Sequence, residues 1–431
     1  MDTIFGKENF RNEIIWRRTG SHLAKRYSPI HDVIFFYTKS INYTWNYPKR
    51  PYMKGHVEEF FVKDEKGYCS QYYGNVLTGL GLRNGESGQP WKGVDPSAKG
   101  RHWAIPKAII KDLEDISHLS QHQKLDLLYD LGFIKFVNGQ AWPIYERYLK
   151  PGDGVPTPDI WAFQPYTGGT VFGTNAGIDE DVRWLSPRDR ERLGYQTQKP
   201  EALLSRILMA SSNEEDVVLD PFCGCGTTIT VANRLKRKWI GIDITHIAIN
   251  LIKLRLKDML DLEAKKNYLV VGEPEDLSGA KELALQNRYQ FQWWASSLIE
   301  ARPYGDKKKG ADEGIDAYLY FSDEKNKIKK GIVQVKSGKV SVKDIRDLGH
   351  VMDREKAEIG IFLTLEPATK PMEKEALLKG YYKSSTLNKS YQKIQIFTID
   401  DLFAGKAPET PPIISPYKRA KYIRENKSLE I

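Results

Sequence analysis

Hydrophobic and polar residues follow different patterns in successive parts of the chain. Residues 12–16 and 32–37 form short apolar runs that are typical of strands. Towards the middle of the chain the pattern becomes helix, strand, loop, helix, strand and helix, the order expected of a parallel α/β sheet. After a polar stretch over 260–287, strand and helix patterns return over 288–404. The pattern predicts two α/β domains joined by a linker over 260–287, and a mobile tail over 405–431.

Composition narrows the class of protein. The 65 lysine and arginine residues outnumber the 56 aspartate and glutamate residues, which leaves a net charge of +9. A basic balance favours a polyanionic partner, although ordinary solvated charge would give the same count. No apolar run approaches the roughly 18 residues that a bilayer-spanning helix needs, so we expect no membrane partner. Because the N-terminus lacks a secretory pattern and three cysteines are too few for a disulfide framework, we expect a cytoplasmic protein.

A glycine-rich turn lies between two strand patterns that each end in a carboxylate. Residues 217–220 read as a buried strand that ends at Asp220, and residues 239–243 as a second strand that ends at Asp243. The turn after the first strand contains Phe222, Gly224, Gly226 and Thr227. Glycines let the backbone approach a ligand, and an acidic residue about 20 positions further on can accept hydrogen bonds from ribose hydroxyls. The arrangement favours a nucleoside cofactor over a plain glycine turn in an α/β unit.

Residues 220–228 resemble the S-adenosylmethionine loop of the DNA amino-methyltransferases that act on exocyclic amines of adenine or cytosine. Residues 192–200 resemble the segment that contacts the cofactor before this loop in circularly permuted members. Residues 9–16 and 31–37 resemble later strands of the same fold. The resemblance implies an α/β fold with a Rossmann-like methyltransferase sheet, and S-adenosylmethionine as the cofactor. The cofactor-binding residues that it implies are Lys199, Pro200, Asp220, Phe222, Gly224, Gly226, Thr227 and Asp243.

This resemblance assigns the methyltransferase domain to residues 1–259, with a target-recognition region over 40–190 and the S-adenosylmethionine-binding half over 192–259. The middle region interleaves aromatic and cationic residues, a mixture that suits phosphate contact and base stacking. The alternative is that the aromatics form a core and the cations are solvated. The residues concerned are Trp45, Tyr47, Lys49, Arg50, Tyr52, Lys54, Trp91, Lys92, Lys99, Arg101, His102 and Trp103.

One family motif is missing from the sequence. In the family, Asp, Asn or Ser followed by Pro-Pro and an aromatic residue binds the target amine and stacks on the flipped base. The motif belongs before Asn9 and occurs nowhere in the chain. A partial match at Ser415, Pro416 and Tyr417 has one proline too few. We expect an N-terminally truncated methyltransferase sheet that cannot transfer a methyl group alone. Either Met1 is an internal residue of a longer protein, or a second polypeptide supplies the missing catalytic strand.

A second group of polar residues lies in the C-terminal block. Asp316 stands near the start of a predicted strand, and Gln334 and Lys336 share one face of the next predicted strand. Phosphodiester hydrolysis needs a divalent cation held by oxygen ligands and a positive charge near the attacking water. Asp316, the Gln334 side-chain oxygen and the Val335 carbonyl could hold Mg²⁺, while Lys336 places the water. The alternative is a polar strand edge without chemistry.

This pattern resembles the PD-(D/E)xK nuclease core, specifically the Mrr-type restriction endonucleases in which glutamine takes the middle acidic position. The opening helix of that fold would be 288–300, the helix after the motif 341–348 and the next strand 359–364. The resemblance implies a smaller α/β endonuclease domain over 288–404, with Asp316, Gln334 and Lys336 as catalytic residues. Glu300 is open to two interpretations, a third metal ligand or one partner of a surface ion pair.

Together these patterns predict a restriction-modification type protein that acts on double-stranded DNA. Its C-terminal domain would cleave phosphodiesters with Mg²⁺, and its N-terminal domain would be a truncated S-adenosylmethionine-dependent methyltransferase. The alternative is a non-catalytic, sequence-specific DNA-binding protein with degenerate enzyme domains. An α/β enzyme that uses a nicotinamide cofactor would fit the glycine turn but would leave the nuclease pattern unexplained.

Overall fold

The computed structural model describes most of the chain. The described residues are 1–19, 25–73, 77–106, 110, 113, 116–136, 142–150, 152–163, 169–186, 188, 189, 191–193, 195, 197–304, 314–324 and 327–413. Gly194, Gln196, the stretch 305–313 and the end of the tail over 414–431 therefore lie outside the described residues. Within the described ranges, no helix is both long enough and apolar enough to cross a membrane.

Short strands dominate the first part of the chain. Its strands are β1 (Phe10–Arg17), β2 (His31–Tyr37), β3 (Lys49–Pro51), β4 (Val62–Asp64), β5 (Gly67–Tyr73), β6 (Thr78–Leu80), β7 (Arg101–Trp103), β8 (Ile134–Lys135), β9 (Ile144–Tyr148), β10 (Gly154–Pro156) and β11 (Ile160–Trp161). Its α-helices are α1 (Asp2–Phe5), α2 (Lys54–Phe60) and α3 (Gln121–Asp130). The predicted strands at 12–16 and 32–37 are confirmed as β1 and β2, which pair antiparallel.

The middle region builds a core of its own. Strands β4, β5, β9 and β8 form a four-stranded sheet in that order, and β6 pairs with β7. Apolar side chains from this sheet and from α3 pack in one cluster. Its buried members are Leu77, Trp91, Val94, Trp103, Leu125, Leu128, Ile134 and Tyr145. Trp91 and Trp103, which the sequence left open as base-stacking residues, are core side chains, whereas Trp45 and Tyr47 are exposed.

The cofactor half follows the predicted alternation of helix and strand. Its elements are α4 (Glu201–Ser211), β12 (Val217–Asp220), α5 (Thr227–Arg234), β13 (Lys238–Gly241) and α6 (His246–Leu260). Strands β12 and β13 pair in parallel, and α5 provides the crossover connection that a parallel pair needs. Residues of α4 and α5 pack in a cluster with Val218 and Trp239, so both helices cover the strand pair.

Strands β2 and β12 lie at edges of two sheets in the N-terminal domain and have no strand partner on their outer side among the described residues. The first sheet has the order β11-β1-β2 and ends at β2, and the second sheet consists of β12 and β13 and ends at β12. Apolar side chains on these terminal strands are exposed. Relative exposures are 62% for Val217, 58% for Leu219 and 54% for Phe35. Strands of this composition normally face further layers of structure.

The C-terminal domain is built on a five-stranded mixed sheet. Its elements are α7 (Leu277–Gln286), α8 (Arg288–Ser297), β14 (Arg302–Pro303), β15 (Ala317–Glu324), β16 (Lys327–Lys336), α9 (Val342–Glu355), β17 (Ile359–Thr364), α10 (Lys370–Leu378), β18 (Tyr381–Lys383), β19 (Ser390–Gln392), β20 (Ile394–Thr398) and α11 (Ile399–Phe403). The sheet order is β14-β15-β16-β17-β20, and β16, β17 and β20 are parallel. Apolar clusters cover both faces of this sheet.

The predicted linker and tail differ from the structure. Helix α7 lies within 260–287, where Ala280 is fully buried in the same cluster as Phe291 and Trp294 of α8. The three-residue spacing of Leu277, Ala280 and Leu283 produces this apolar face between charged neighbours, so the segment reads as polar on average.

The first part of the predicted tail also packs on the domain. The Gln395 side chain exchanges hydrogen bonds of 2.7 and 2.8 Å with the backbone of Glu409, and Ile413 forms a β-bridge with Phe321. A side-chain amide that pairs with one backbone unit fixes that backbone much as a neighbouring strand would. Residues 405–413 are therefore part of the folded domain.

Candidate functional site

The glycine turn is held closed by backbone hydrogen bonds to neighbouring strand ends. The Asp220 carboxylate accepts a 3.1 Å bond from the Phe222 N–H, and the Gly224 N–H donates to the Asp243 carboxylate at 3.0 Å. Gly224 and Gly226 have φ angles of 50° and 75°, in the left-handed region that favours glycine. A Cβ atom at Gly226 would lie 2.8 Å from the Ile252 side chain, so a larger residue would displace α6.

Asp243 lies where the second predicted strand ends. One carboxylate oxygen accepts the Gly224 N–H, and the other accepts from the Thr245 N–H at 3.0 Å and the Thr245 hydroxyl at 2.8 Å. These three bonds fix the carboxylate beside the turn, two residues after the end of β13. The turn, the start of α5 and an anchored acceptor therefore meet at the carboxyl edge of two parallel strands, the place where ligands bind in open α/β sheets.

Lys199 and Pro200 join the turn through the backbone. Pro200 precedes the first residue of α4, and the Lys199 carbonyl accepts a 3.3 Å hydrogen bond from the Thr227 hydroxyl. The Lys199 ammonium lies 3.6 Å from the Asp32 carboxylate on β2 and 5.8 Å from the centroid of the Trp16 ring. The structure thus brings the eight predicted cofactor residues into one region, and the Lys199 side chain connects that region to the first sheet.

The arrangement fits an adenosyl cofactor. The two glycines allow the turn to adopt positive φ angles at the N-terminus of α5, and Asp243 provides a fixed acceptor for hydroxyl groups. Phe222, which follows β12, and Ile244, which follows β13, are 87% and 89% exposed. Large apolar side chains with that exposure beside a polar acceptor suit an adenine ring and a ribose.

Arg255 is a site residue that sequence reasoning missed. Its side chain is 1% exposed and donates 2.6 Å to the Glu201 carboxylate on α4. The same guanidinium donates to the Thr227 hydroxyl at 3.0 Å and to the Cys225 carbonyl at 3.2 Å. The sequence signal that could have identified Arg255 is its position between Leu254 and Leu256, both buried on α6. A charged residue in such a buried segment needs charged or polar partners, because unpaired charges are rarely buried.

Burial changes the protonation of groups around this network. Burial raises the pKa of Glu191 to about 7, and the negative charge of Glu201 is the second largest cause. One oxygen of Glu191 accepts a 2.7 Å hydrogen bond from the Glu201 N–H. Burial also raises the pKa of Cys223 to about 12 and raises that of Cys225, so both remain neutral thiols. Both are buried and serve as small core residues.

The second predicted site lies at the start of β15 and the end of β16. The Asp316 carboxylate accepts a 2.7 Å hydrogen bond from the Val335 N–H, and the Asp316 N–H donates to the Val333 carbonyl at 3.0 Å. Ala317 faces Val333 across the antiparallel pair, which places Asp316 opposite Gln334 on the same face of the sheet. Val333 and Val335 point into the apolar cluster on the other face, as the sequence predicted.

The Gln334 side chain supplies the observation that bears on a metal ion. Gln334 is 5% exposed, and its Oε1 atom has no hydrogen-bond partner within the described ranges. A buried amide oxygen without a partner costs free energy, and a hard cation bound beside Asp316 would satisfy it. The donor set of Asp316, Gln334 Oε1 and the Val335 carbonyl therefore fits Mg²⁺.

Glu300 resolves one of the open alternatives. It follows α8 in a left-handed conformation with φ of 56°, and its carboxylate is paired with the Lys257 ammonium on α6. Both side chains are exposed by 40% or more, so this contact is a surface ion pair. Gly310, Ala311, Asp312 and Glu313, which precede the predicted strand of Asp316, lie outside the described residues.

Comparison with known proteins identifies both domains. Residues 1–254 match the DNA methylase family of the N6 and N4 type, and residues 285–383 match the Mrr-type restriction endonuclease family. The resemblance of each part to these two families is thereby confirmed.

Several methyltransferases are similar to the N-terminal part. The Type II methyltransferase M.EcaI of Enterobacter cloacae is 30% identical over 258 residues, which cover 59% of this chain and 49% of that protein. The Type II methyltransferase M2.LlaDCHI of Lactococcus lactis subsp. cremoris is 53% identical over 112 residues, covering 26% of this chain and 35% of that protein. The chain thus spans about half of the first relative and about a third of the second.

A search of solved structures gives a partial alignment. The crystal structure of the M1.HpyAVI-SAM complex aligns with 24% of this chain and 41% of that chain, at 27% identity and a TM-score of 0.14.

The DNA methylase family match over residues 1–254 covers more than half of the chain. The chain therefore belongs to the DNA methylase family and carries a Mrr-type restriction endonuclease domain in its C-terminal part.

Proposed function

We propose that this protein is a restriction-modification type enzyme whose C-terminal domain hydrolyses phosphodiesters of double-stranded DNA. The observation that carries the proposal is the buried, unpartnered Oε1 atom of Gln334 beside Asp316, within the described part of the chain. The site lies where β15 begins and β16 ends, on two interior strands of the five-stranded sheet. We also propose that the protein acts in the cytoplasm.

Each nuclease residue has a distinct role in this proposal. Asp316, Gln334 and the Val335 carbonyl would hold Mg²⁺, which when bound supplies charge neutralisation for the scissile phosphate. The Val335 N–H fixes the Asp316 carboxylate at 2.7 Å, so that carboxylate is oriented before any ligand arrives. Lys336, on the same face as Gln334, donates to the attacking water and lowers its pKa.

In the N-terminal domain, S-adenosylmethionine binds the glycine turn and Asp243, and region 40–190 recognises the DNA target. The open edges of β2 and β12 support the further proposal that a catalytic strand is missing from this chain. A strand inserted beside either edge would pair with the backbone of β2 or β12, and the layers packed on the extended sheet would cover the exposed side chains of Phe35, Val217 and Leu219. The chain then cannot methylate DNA by itself, and a second polypeptide that carries the missing motif completes the sheet.

Plasmid cleavage by matched lysine variants tests the nuclease. Supercoiled plasmid, methylated and unmethylated, is incubated with Mg²⁺ and the wild type, Lys336→Ala or Lys339→Ala at one stated salt concentration. We expect Lys336→Ala to lower the cleavage rate at least about a hundredfold, as loss of a proton-handling group does. Lys339 is an exposed residue three positions further along, so Lys339→Ala should cleave like the wild type.

DNA affinity measured in the same samples separates a nuclease from a binder. Equal DNA binding by the three proteins, with cleavage lost in Lys336→Ala alone, is the expected result. The competing function is a non-catalytic DNA-binding protein, which the lack of a second acidic ligand in the motif favours, because glutamine stands at position 334. DNA binding without cleavage by the wild type on either plasmid would refute the nuclease proposal and leave that function.

A further inference from the structure

A side chain of the endonuclease domain holds the loop that carries Asp243. Gln290 is the third residue of α8, and its Oε1 atom accepts a 2.7 Å hydrogen bond from the His246 N–H. Its Nε2 atom donates to the Ile244 carbonyl at 3.2 Å. The Gln290 amide thus accepts a hydrogen bond from one backbone N–H and donates one to the carbonyl two residues earlier. The backbone of a neighbouring β-strand would make the same pair of bonds.

These two bonds lie on either side of Thr245, the residue that orients Asp243. The Thr245 hydroxyl donates to one Asp243 oxygen at 2.8 Å and accepts the Ala248 N–H at 3.3 Å. Asp243 is the predicted acceptor for the cofactor hydroxyls, and its other oxygen holds Gly224 of the turn. Any movement of the 244–246 backbone therefore moves the Asp243 carboxylate relative to the turn.

Two further contacts secure α6 against the endonuclease domain. The Asn250 amide, which is 1% exposed, donates to the buried Ala301 carbonyl at 3.1 Å. Arg302 of β14 donates to the Asp258 carboxylate at 2.7 Å, and both side chains are mostly buried. The contacts at Asn250 and Asp258 hold α6 against the endonuclease domain. Gln290, which bonds to the first residue of α6, is therefore fixed relative to that helix.

We propose that Gln290 is a positioning residue of the cofactor site, so that the endonuclease domain completes the S-adenosylmethionine site of the methyltransferase domain. This inference rests on the proposed binding of S-adenosylmethionine at the glycine turn. Gln290 does not touch the cofactor; it fixes the loop through which Thr245 sets the direction of the Asp243 carboxylate. Without the Gln290 contacts, the 244–246 loop adopts other conformations part of the time. The affinity for S-adenosylmethionine then falls in proportion to the fraction of molecules that have left the binding conformation.

The test compares Gln290→Ala with Gln286→Ala in the full chain. Gln286 ends α7, is exposed and bonds only to Glu282 in the contacts described, so its removal controls for the loss of a glutamine near the junction. Equilibrium binding of S-adenosylmethionine should weaken about tenfold in Gln290→Ala, the effect of losing two hydrogen bonds of ordinary strength. Binding by Gln286→Ala should equal that of the wild type.

A double-mutant cycle with Asp243→Asn separates positioning from a general structural effect. If Gln290 acts through Asp243, the Gln290→Ala substitution should weaken binding much less than tenfold in the Asp243→Asn background. Additive losses would show that Gln290 acts elsewhere and would overturn the inference. Faster amide exchange at His246 in cofactor-free Gln290→Ala is expected, and unchanged exchange there would also overturn it.

The same experiment distinguishes the two levels of the proposal. Wild-type protein that binds S-adenosylmethionine while Gln290→Ala binds equally well would overturn the role of Gln290 alone. Wild-type protein that fails to bind S-adenosylmethionine would overturn the proposed cofactor, and the inference with it. Urea unfolding of both variants, with midpoints matching that of the wild type, confirms that each is folded when its affinity is measured.

Discussion

Arg255 is the buried charge beneath the cofactor turn, and its removal should destabilise the protein. Arg255→Met leaves the Glu201 carboxylate buried with the partly exposed Arg234 as its remaining ion-pair partner among those described. Breaking one side of a buried pair costs about 3 kcal/mol or more. Urea unfolding should therefore show a loss of that size.

Lys257→Met, on the same helix, provides the control for Arg255→Met. Lys257 pairs with Glu300 at the surface, and an exposed pair of this kind contributes about 1 kcal/mol or less. Equal losses in the two variants would contradict the view that Arg255 supports the turn through a buried network.

Glu191 gives the stability of the protein a defined pH dependence. Its pKa is raised from 4.5 to about 7, chiefly by burial, so between these values the folded state holds a proton that the unfolded chain has released. The free energy of unfolding therefore falls as pH rises from 4.5 to 7, by about 3 kcal/mol at most. Glu191→Gln keeps the acceptor for the Glu201 N–H and should remove this part of the slope.

Urea unfolding at several pH values measures the Glu191 effect. The exposed Glu214, paired with Lys236 at 3.4 Å, supplies the matched variant Glu214→Gln, which should retain the wild-type slope. A Glu191→Gln profile parallel to the wild type between pH 4.5 and 7 would show that Glu191 ionises normally in the folded protein.

Among the elements, the middle region depends on a tryptophan cluster rather than on long strands. Trp103 is 1% exposed, lies 5.8 Å from Trp91 between ring centroids and donates to the Gln89 carbonyl at 3.0 Å. Trp103→Ala should cost about 4 kcal/mol of unfolding free energy because it leaves a large cavity. Tyr47→Ala, at a 79% exposed residue, should change stability by less than about 0.5 kcal/mol. Equal effects in a urea titration would contradict the assignment of Trp103 to the core.

The elements that the sequence predicted well are those with a strong local pattern. Strand β12 has the predicted bounds, as does β17 at 359–364, because both are apolar runs that end at a turn or a helix start. The pairing of β5 with β9 could not be predicted, since these strands are short and lie some 70 residues apart. Helix α7 was missed because its apolar face consists of only four residues and lies between charged residues.

The candidate sites were predictable as residue sets but not as networks. The glycine turn and Asp243 follow from a local motif. Arg255, in contrast, bonds to the turn from 30 positions away, and Gln290 bonds to Ile244 and His246, just after Asp243, from 46 and 44 positions away. No periodicity in the sequence connects such partners, because tertiary packing determines which polar side chains meet. The unpartnered state of Gln334 Oε1 is likewise a property of its surroundings in the described structure.

At the scale of the whole molecule, the two open sheet edges predict that cofactor binding and methyl transfer are separable. The chain alone should bind S-adenosylmethionine yet transfer no labelled methyl group to DNA, because no residue in its sequence provides the missing motif. Filter-binding of DNA after incubation with tritium-labelled cofactor measures this. Methyl transfer by the purified chain would contradict the proposal of a missing strand. Restoration by a polypeptide that carries the motif would support it.

Helix α6 belongs to both domains at once. Its Arg255 holds the glycine turn, and its Asn250 and Asp258 bind residues of the endonuclease domain. Exchange of the nuclease module between proteins of this kind would therefore succeed only if the incoming module brought matching partners for α6. A join within 260–287 would separate the 244–246 loop from Gln290, and Asp258 from Arg302, so a functional exchange should keep residues 243–302 together.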